Sequence, residues 1–356
     1  MAVFGIDLHS DNFVVANKLG NKISKYYLAS NGINKFLKTV SLKDYAVVEA
    51  STNTFSFYDK IKEHLKDVFV INPLKFKMIC DSVKKTDKID ANKLSEVGIW
   101  HINNGFSVLP TINVPGKKIR LLRSLFTTYS LLKKEIVVIK NRIHSIFKEN
   151  LYVIKAEIIF GKMRDNLDGL EIDASNIFQL KTLYRHLEQI HEEKEELKKQ
   201  ILFLGSTYLT EINILTSIKG ISPFTAIAII SDMNDINLYK NAKAFSSYLR
   251  STPKIDSSNK TVHIGKTSKQ GRKLSITLIL QSIRHFTDSN KNLADFKERK
   301  KDAKSKGKIR MAIARKMFVI IYFMLKEKKY YNYRDEEAHN NKMKIYLNFL
   351  SKNNIS

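Results

Sequence analysis

The sequence predicts an α/β domain at the N-terminus, a helical coiled-coil middle and a mainly α C-terminal region. Short apolar runs alternate with helical patterns in the first third, apolar residues recur at heptad spacing in the middle, and apolar helices dominate the last part. These patterns divide the chain into an N-terminal domain, an oligomerisation region, a C-terminal domain and a polar tail, at 1–110, 111–208, 209–335 and 336–356.

Five apolar runs in the N-terminal domain have the length and composition of strands. The first three follow one another closely, which favours antiparallel pairing, whereas the last two are each reached through a helix and are expected to be parallel. The predicted strands are 2–6, 12–16, 23–28, 45–48 and 68–71, with helices at 33–40 and 55–65.

Two long amphipathic segments make up the middle of the chain. In the second, 183–204, apolar residues follow alternating spacings of four and three, while charged residues occupy the other positions. This is a heptad pattern. Together with the first segment, 118–150, it predicts an antiparallel coiled-coil hairpin, and a helical bundle packed on the rest of the chain is the alternative.

The C-terminal region begins with a tight turn at 220–223, followed by an apolar helix at 224–230. The turn has two interpretations, a phosphate-binding turn that uses backbone amides or a plain corner between helices. A basic run at 297–310 then leads into an apolar helix at 311–325, and the residues after Arg334 are expected to be loosely held.

The charge of the chain points to a polyanionic partner. Its 356 residues include 61 Lys and Arg against 35 Asp and Glu, a formal net charge of +26. Nucleic acid is the expected partner, and an anionic membrane surface is the alternative. No apolar run approaches the length of a transmembrane helix, and Asp7 falls where a signal peptide would continue its apolar core. We therefore expect a cytoplasmic protein that associates with nucleic acid.

Cysteine usage excludes two further classes of protein. Cys80 is the single cysteine of the sequence, so an internal disulfide framework and a cysteine-rich zinc site are both excluded.

Four carboxylates stand out by their positions. Asp7 follows the first predicted strand, Glu49 ends the fourth, and Asp87 and Asp90 are three residues apart, which places them on one helical face. For any one of these carboxylates alone, the expected role is that of a solvated residue or a helix cap. Four carboxylates at one point would repel one another without divalent cations, and two such cations clamp the oxygens of a phosphodiester during cleavage.

Three segments, GIDLHS, VVEAS and KTDKIDA, carry a resemblance to a known family. In order and spacing they resemble the Asp-Glu-Asp-Asp motif of the Piv-like DEDD transposases and invertases of bacterial insertion sequences. Two later segments, IKGISPFTAIAIIS and IGKTSKQGRKL, resemble that family's C-terminal transposase region. The resemblance implies a RuvC-like, RNase H-type fold for the N-terminal domain.

The family carries a serine in a pattern of Pro, four residues, Ser and Gly. Here Pro253 is followed by KIDSSNK, so the matching position is Ser258, with Asn259 in place of the glycine and Ser257 as the adjacent alternative. By this resemblance Ser258 attacks the scissile phosphate and forms a phosphoserine–DNA intermediate.

The resemblance also implies cofactors and partners. Asp7, Glu49, Asp87 and Asp90 would hold Mg²⁺ at a two-metal site, with Mn²⁺ as a substitute. The partners would be donor and target DNA and a guide RNA encoded by the element. The protein would act as a dimer or a tetramer, and in a tetramer carboxylates and serine from different subunits would combine.

A basic loop lies next to the predicted serine. Lys266, Lys269, Arg272 and Lys273 lie around two glycines, and we expect them to contact nucleic-acid phosphates rather than solvent alone. His9, two residues after Asp7, could orient a carboxylate, but a histidine at a strand end is more often incidental.

Three rival functions remain open from the sequence. A resolvase-like, metal-dependent nuclease would use the carboxylates with water as nucleophile and would not need Ser258. An actin-like sugar kinase shares an aspartate after the first strand but needs a second phosphate loop, which GKTSKQG does not supply. A non-catalytic RNA-binding scaffold would need none of the carboxylates.

Overall fold

The computed structural model describes residues 1–76, 86–106, 108–258, 261–267, 271–303 and 305–353. They form two compact units, Met1–Pro115 and Gly116–Ser356. The predicted residues Cys80, Asn259 and Lys269 lie outside the described parts of the chain.

The first unit is built on a five-stranded mixed sheet with the strand order β3-β2-β1-β4-β5. β1 pairs antiparallel with β2, and β2 with β3, whereas β4 is parallel to both β1 and β5. The predicted succession of strands and helices along the chain and the predicted strand directions are therefore confirmed. The strands are β1 (Val3–Leu8), β2 (Asn12–Asn17), β3 (Lys22–Tyr27), β4 (Tyr45–Glu49) and β5 (Asp67–Ile71).

Helices cover both faces of this sheet. On one face α1 (Gly32–Leu37) and α2 (Thr54–Ile61) close a core in which the rings of Phe36 and Phe57 both pack edge-on against Phe13. After β5 come the short α3 (Pro73–Phe76) and then α4 (Asp87–Asn103), which packs on the other face. Side chains alternate along a strand, so β1 contributes apolar residues to both cores.

Glycine at position 5 allows α4 to lie directly on β1. A Cβ atom at Gly5 would stand 2.0 Å from the carbonyl oxygen of Ala91 and 2.3 Å from the backbone nitrogen of Ser95. Farther along the helix, a Cβ at Gly98 would stand 2.6 Å from Cγ2 of Val47. The helix backbone therefore rests on the sheet, and its position relative to β1 is fixed.

The second unit begins with two long antiparallel helices, α5 (Lys117–Glu149) and α7 (Ala174–Gly205), with the short α6 (Ala156–Ile159) between them. The C-terminal half of α5 packs on the N-terminal half of α7, and the other ends of both helices enter the main core. Three residues of the predicted heptad seam of α7 are buried, namely Leu187, Ile190 and Ile201. At the N-terminal end of the helix the buried residues are instead Leu180 and Tyr184, whereas Leu183 is only partly buried. The N-terminal end of α7 packs on the α6 segment as well as on α5. A different side of the helix is therefore buried there.

The main core of the second unit surrounds one apolar helix. α9 is buried at every residue from Thr225 to Met233, as expected for a helix that is apolar on all sides. The helices of this core are α8 (Leu209–Thr216), α9 (Pro223–Met233), α10 (Ala242–Tyr248), α11 (Leu274–Gln281), α12 (Ile283–Ser289), α13 (Lys291–Arg299), α14 (Lys306–Glu327) and α15 (Glu336–Asn353).

Two segments of this unit differ from expectation. The segment that begins at Pro253 and includes Lys266 of the predicted basic loop is an antiparallel hairpin of β6 (Pro253–Ser258) and β7 (Thr261–Thr267). The predicted loose tail is α15, in which His339, Met343 and Tyr346 are buried. These three residues lie four and three positions apart, so a largely polar segment still presents one face to the core.

Candidate functional site

The candidate site lies where the carboxyl ends of β1 and β4 meet. The two parallel strands pair Ile6 with Val48, so Asp7 and Glu49 follow at adjacent positions. The loops after the strands are tied together, because the Asn53 side-chain amide donates to the carbonyl oxygen of His9 at 2.7 Å. Parallel pairing thus brings the first two predicted carboxylate positions to one edge of the sheet.

The other two carboxylates come from the start of α4. Thr86 caps this helix, since its hydroxyl accepts a hydrogen bond from the Ile89 backbone N–H at 3.3 Å. Asp87 and Asp90 both fall in the first turn, where the partial positive charge of the helix N-terminus favours carboxylates. The sequence prediction that they share a helix is confirmed.

Three side chains converge at this edge. His9 Nε2 lies 3.2 Å from Oδ2 of Asp7 and 3.5 Å from Oδ2 of Asp87. The imidazole is close enough to pair electrostatically with both carboxylates, but Nε2, a buried atom, makes no aligned hydrogen bond to the described residues. The fold therefore holds two carboxylates close together around one imidazole.

The electrostatics of Asp7 reflect this crowding. Burial raises the pKa of the Asp7 carboxyl above its ordinary value. The His9 imidazole opposes the rise, and the negative charges of Asp87 and Asp90 add to it. Ionisation of Asp7 is therefore unfavourable in the folded protein, and a bound cation would reduce its free-energy cost.

The residues fit a divalent cation. Asp7, His9 and Asp87 each offer one ligand atom, and these atoms lie within 4.8 Å of one another. Carboxylate oxygens suit Mg²⁺ and Mn²⁺, and imidazole suits softer divalent ions as well. Within the described residues this close group does not include Glu49 or Asp90, although the charge of Asp90 reaches Asp7.

His9 is the residue of this group that sequence reasoning set aside. The spacing Asp-x-His was the available signal, and the structure places Asp7 inside β1, which ends two residues beyond its predicted end, with His9 directly after the strand. A strand end that turns sharply can bring residues two apart to the same side.

The predicted serine lies in the second unit. Ser258 is the last residue of β6 and pairs with Thr261, while Ser257 pairs with Val262 of β7. Lys266 belongs to β7, and Arg272 and Lys273 immediately precede α11.

A glycine fixes the backbone before Arg272. Gly271 has a φ of +89°, and a Cβ atom there would stand 2.1 Å from the carbonyl oxygen of Tyr248. The same carbonyl accepts a hydrogen bond from the Arg272 backbone N–H at 3.1 Å, and Arg250 Nε donates to the Gly271 carbonyl oxygen at 2.6 Å. The start of α11 is therefore anchored to the end of α10.

The turn at 220–223 is braced as a helix corner. Ser222 caps α9 through a hydrogen bond that its hydroxyl accepts from the Thr225 backbone N–H at 3.2 Å. Lys342 of α15 donates to the carbonyl oxygens of Thr216 and Ile221 at 2.7 and 2.9 Å. These contacts favour the structural interpretation of the turn over phosphate binding.

Comparison with known families gives one match. Residues 212–298 match the model of the Transposase IS116/IS110/IS902 family, a segment that runs from α8 to α13 and contains the β6–β7 hairpin. The match supports an insertion-sequence transposase, for which DNA is the substrate. A search of curated proteins gives no match. Among the described residues, no helix is long and apolar enough to span a membrane.

Proposed function

We propose that this protein is the recombinase of a bacterial insertion sequence, which cleaves and rejoins DNA through a serine in the second unit and a metal-binding carboxylate site in the first. The family match of residues 212–298 carries the proposal, because a simple nuclease, a kinase and an RNA scaffold have no use for that segment. The convergence of Asp7, His9 and Asp87 supports it by offering a place for a divalent cation.

In this proposal the carboxylates of Asp7 and Asp87 hold Mg²⁺, with Glu49 and Asp90 at the same edge of the sheet. The ion would polarise a phosphodiester and lower the pKa of an attacking hydroxyl group. Mn²⁺ would substitute for it. The acidic N-terminal turn of α4 would keep Asp87 in place because Thr86 caps the helix and Gly5 seats it.

The proposed reaction is a transesterification. The Ser258 oxygen forms a bond to phosphorus, the bond from phosphorus to the leaving deoxyribose oxygen breaks, and that oxygen takes up a proton while the serine loses one. The phosphoserine–DNA link conserves the bond energy, so a deoxyribose hydroxyl of another strand can reverse the step without an external energy source.

We further propose that an element-encoded RNA guides the protein and that a dimer or tetramer holds donor and target DNA. The net charge of +26 suits a protein that grips several nucleic-acid backbones while base pairing supplies the sequence specificity. The resolvase-like nuclease is the second candidate, since Asp7, His9 and Asp87 would also serve a reaction in which water is the nucleophile.

The test is a covalent-adduct assay with the full-length protein, RNA from the flanking element, donor and target DNA, and Mg²⁺. We expect a protein–DNA adduct under denaturing conditions that is lost in Ser258→Ala and in Asp7→Asn. Ser257→Ala is the matched control for the serine. Glu63→Gln, an exposed carboxylate ahead of β5, is the control for Asp7, and both controls should retain the adduct.

Two outcomes would overturn parts of the proposal. Cleaved DNA without an adduct would mean that water attacks, and the nuclease would replace the recombinase. Loss of the adduct in Ser257→Ala with retention in Ser258→Ala would move the nucleophile by one position.

A further inference from the structure

A pocket of about 320 Å³ opens in the second unit where α5, α9 and the start of α11 meet. Four basic side chains line it, Arg123 and Lys134 from α5 and Arg272 and Lys273 from the segment before α11. Among its described lining residues there is one carboxylate, that of Asp232 at the end of α9. The lining therefore carries four formal positive charges against one negative charge.

Arg123 is fixed in place by the end of α9. Its Nε donates to the carbonyl oxygen of Ser231 at 2.7 Å, and its Nη2 donates to that of Asp232 at 3.1 Å. These carbonyls lie in the last turn of α9, where a positive charge is favourable. Because a guanidinium has five donors in a rigid plane, two fixed donors also fix the direction of the others.

The single carboxylate of the pocket is already engaged by the protein. Asp232 is 3% exposed, and its Oδ2 accepts hydrogen bonds from the Ser275 backbone N–H at 2.9 Å and from the Ser275 hydroxyl at 2.8 Å. One buried carboxylate cannot balance four cations, so the pocket keeps excess positive charge, with Arg123 and Arg272 partly buried and Lys134 and Lys273 exposed.

The electrostatics of Arg123 agree with this picture. Burial lowers the pKa of its guanidinium below the ordinary value, and the positive charge of Arg272 lowers it further. Two guanidinium groups that repel one another in a partly buried pocket are stabilised by an anion that both can contact.

The sequence of α5 extends the polar lining along one helix face. Arg123, Thr127, Ser130 and Lys134 are separated by four, three and four positions, so they lie on the same side of the helix. All four line the pocket. This stripe lies in the long helix that the sequence pattern assigned to a coiled coil.

We propose that this pocket binds a phosphate group of a nucleic-acid backbone, with Arg123 and Arg272 as its inner ligands and Lys134 and Lys273 at its rim. The inference rests on the proposed function insofar as that function makes nucleic acid the ligand. It adds α5 to the nucleic-acid interface and assigns it a sequence-independent role.

The experiment measures binding of a fluorescent DNA duplex to the full-length protein by anisotropy, over a range of KCl concentrations. Lys134→Ala is compared with Lys133→Ala, because both lysines are exposed neighbours on α5 and only Lys134 lines the pocket. The logarithm of the association constant falls linearly with log[salt]. Loss of one phosphate contact makes this slope about one unit less steep and lowers the affinity by about tenfold near 0.1 M salt. We expect this for Lys134→Ala and Lys273→Ala and a much smaller change for Lys133→Ala.

Equal losses in Lys134→Ala and Lys133→Ala would overturn the inference, because diffuse surface charge would then explain the binding. Unchanged binding in both Lys134→Ala and Lys273→Ala would overturn it as well. Inorganic phosphate distinguishes the ligand source, since complete competition at concentrations of the order of the nucleic acid would indicate a site for free phosphate. Failure of this inference is distinguishable from failure of the proposed function, because the adduct assay tests Ser258 and Asp7, whereas this assay measures duplex binding in variants that leave both residues intact.

Discussion

Asp7 and Asp232 are both carboxylates withdrawn from solvent, one in each unit, and the protein treats them differently. The Asp232 carboxylate accepts two hydrogen bonds from Ser275 and is attracted by the charges of Arg123 and Arg272. The Asp7 side chain, 18% exposed, is paired with His9 but faces the negative charges of two further aspartates. Burial raises the pKa of both carboxyls.

The two carboxyls therefore differ in the groups around them and not in the direction of their pKa shifts. Asp232 is surrounded by donors and cations that belong to the fold, so its removal leaves those groups without a partner. Asp7 is surrounded partly by like charge, so the neighbouring aspartates add to the free-energy cost of its ionised form, and a bound cation would relieve that cost. Sites that bind metal ions and catalyse reactions commonly carry such a cost.

The largest effect on the surroundings of Asp7 is expected from a substitution that displaces α4, which carries Asp87, from the sheet. Gly5→Ala places a methyl group against backbone atoms of Ala91 and Ser95, which cannot yield as a side chain does. We expect a loss of about 3 kcal/mol or more in the free energy of unfolding, measured by urea denaturation, because overpacking of this severity forces the backbone to shift.

Gly20→Ala is the control for this change. A Cβ atom at Gly20 would meet the side chain of Asn17 at 3.1 Å, and that side chain is flexible. The variant should stay close to wild type. If both glycine variants unfolded at the same urea concentration, the seating of α4 on β1 would not be what positions Asp87.

The next largest effect is expected at Asp232. Asp232→Ala leaves the buried Ser275 backbone N–H without its acceptor and removes the only described negative charge from a pocket with four cations. We expect a loss of about 2–3 kcal/mol in the free energy of unfolding. Asp7→Ala provides the comparison, since it removes no backbone partner and should cost far less. Equal losses at the two positions would remove the distinction between them.

The sequence predicts the first unit better than the second. The close spacing of the first three strands, and the helices before β4 and β5, indicate which strands are antiparallel and which are parallel, because few other connections are possible. The hairpin of β6 and β7 was missed because its residues are polar and alternate weakly. In α15 a polar composition concealed the buried positions His339, Met343 and Tyr346.

The candidate sites show the same limit. Asp7 and Glu49 could be placed together because parallel strands end at one edge of a sheet. Arg123 and Asp232 are more than a hundred positions apart in the chain, and no local sequence pattern predicts that the Arg123 guanidinium of α5 caps the end of α9. Partners that meet only through packing of helices are not visible in one sequence.

The smallest predicted effect tests the cost assigned to Asp7, by Asp7→Asn in the absence of divalent metal. Because the folded-state pKa of Asp7 lies above the ordinary value of 3.8, its contribution to stability is complete below pH 3.8 and is lost as the pH rises through the folded pKa. At neutral pH the neutral amide should therefore stabilise the protein, by about 0.5–2 kcal/mol as in other stability–function trade-offs. Melting temperatures of the two proteins should converge as the pH falls.

Mg²⁺ should reverse this ranking, because a cation bound to the folded state stabilises the wild type and has a weaker site in Asp7→Asn. Glu63→Gln, at an exposed carboxylate, should follow the wild type with and without Mg²⁺. A lower melting temperature for Asp7→Asn at neutral pH without metal would show that the fold itself stabilises the ionised Asp7 carboxylate. The edge of the sheet would then need no cation to offset the charge of that carboxylate.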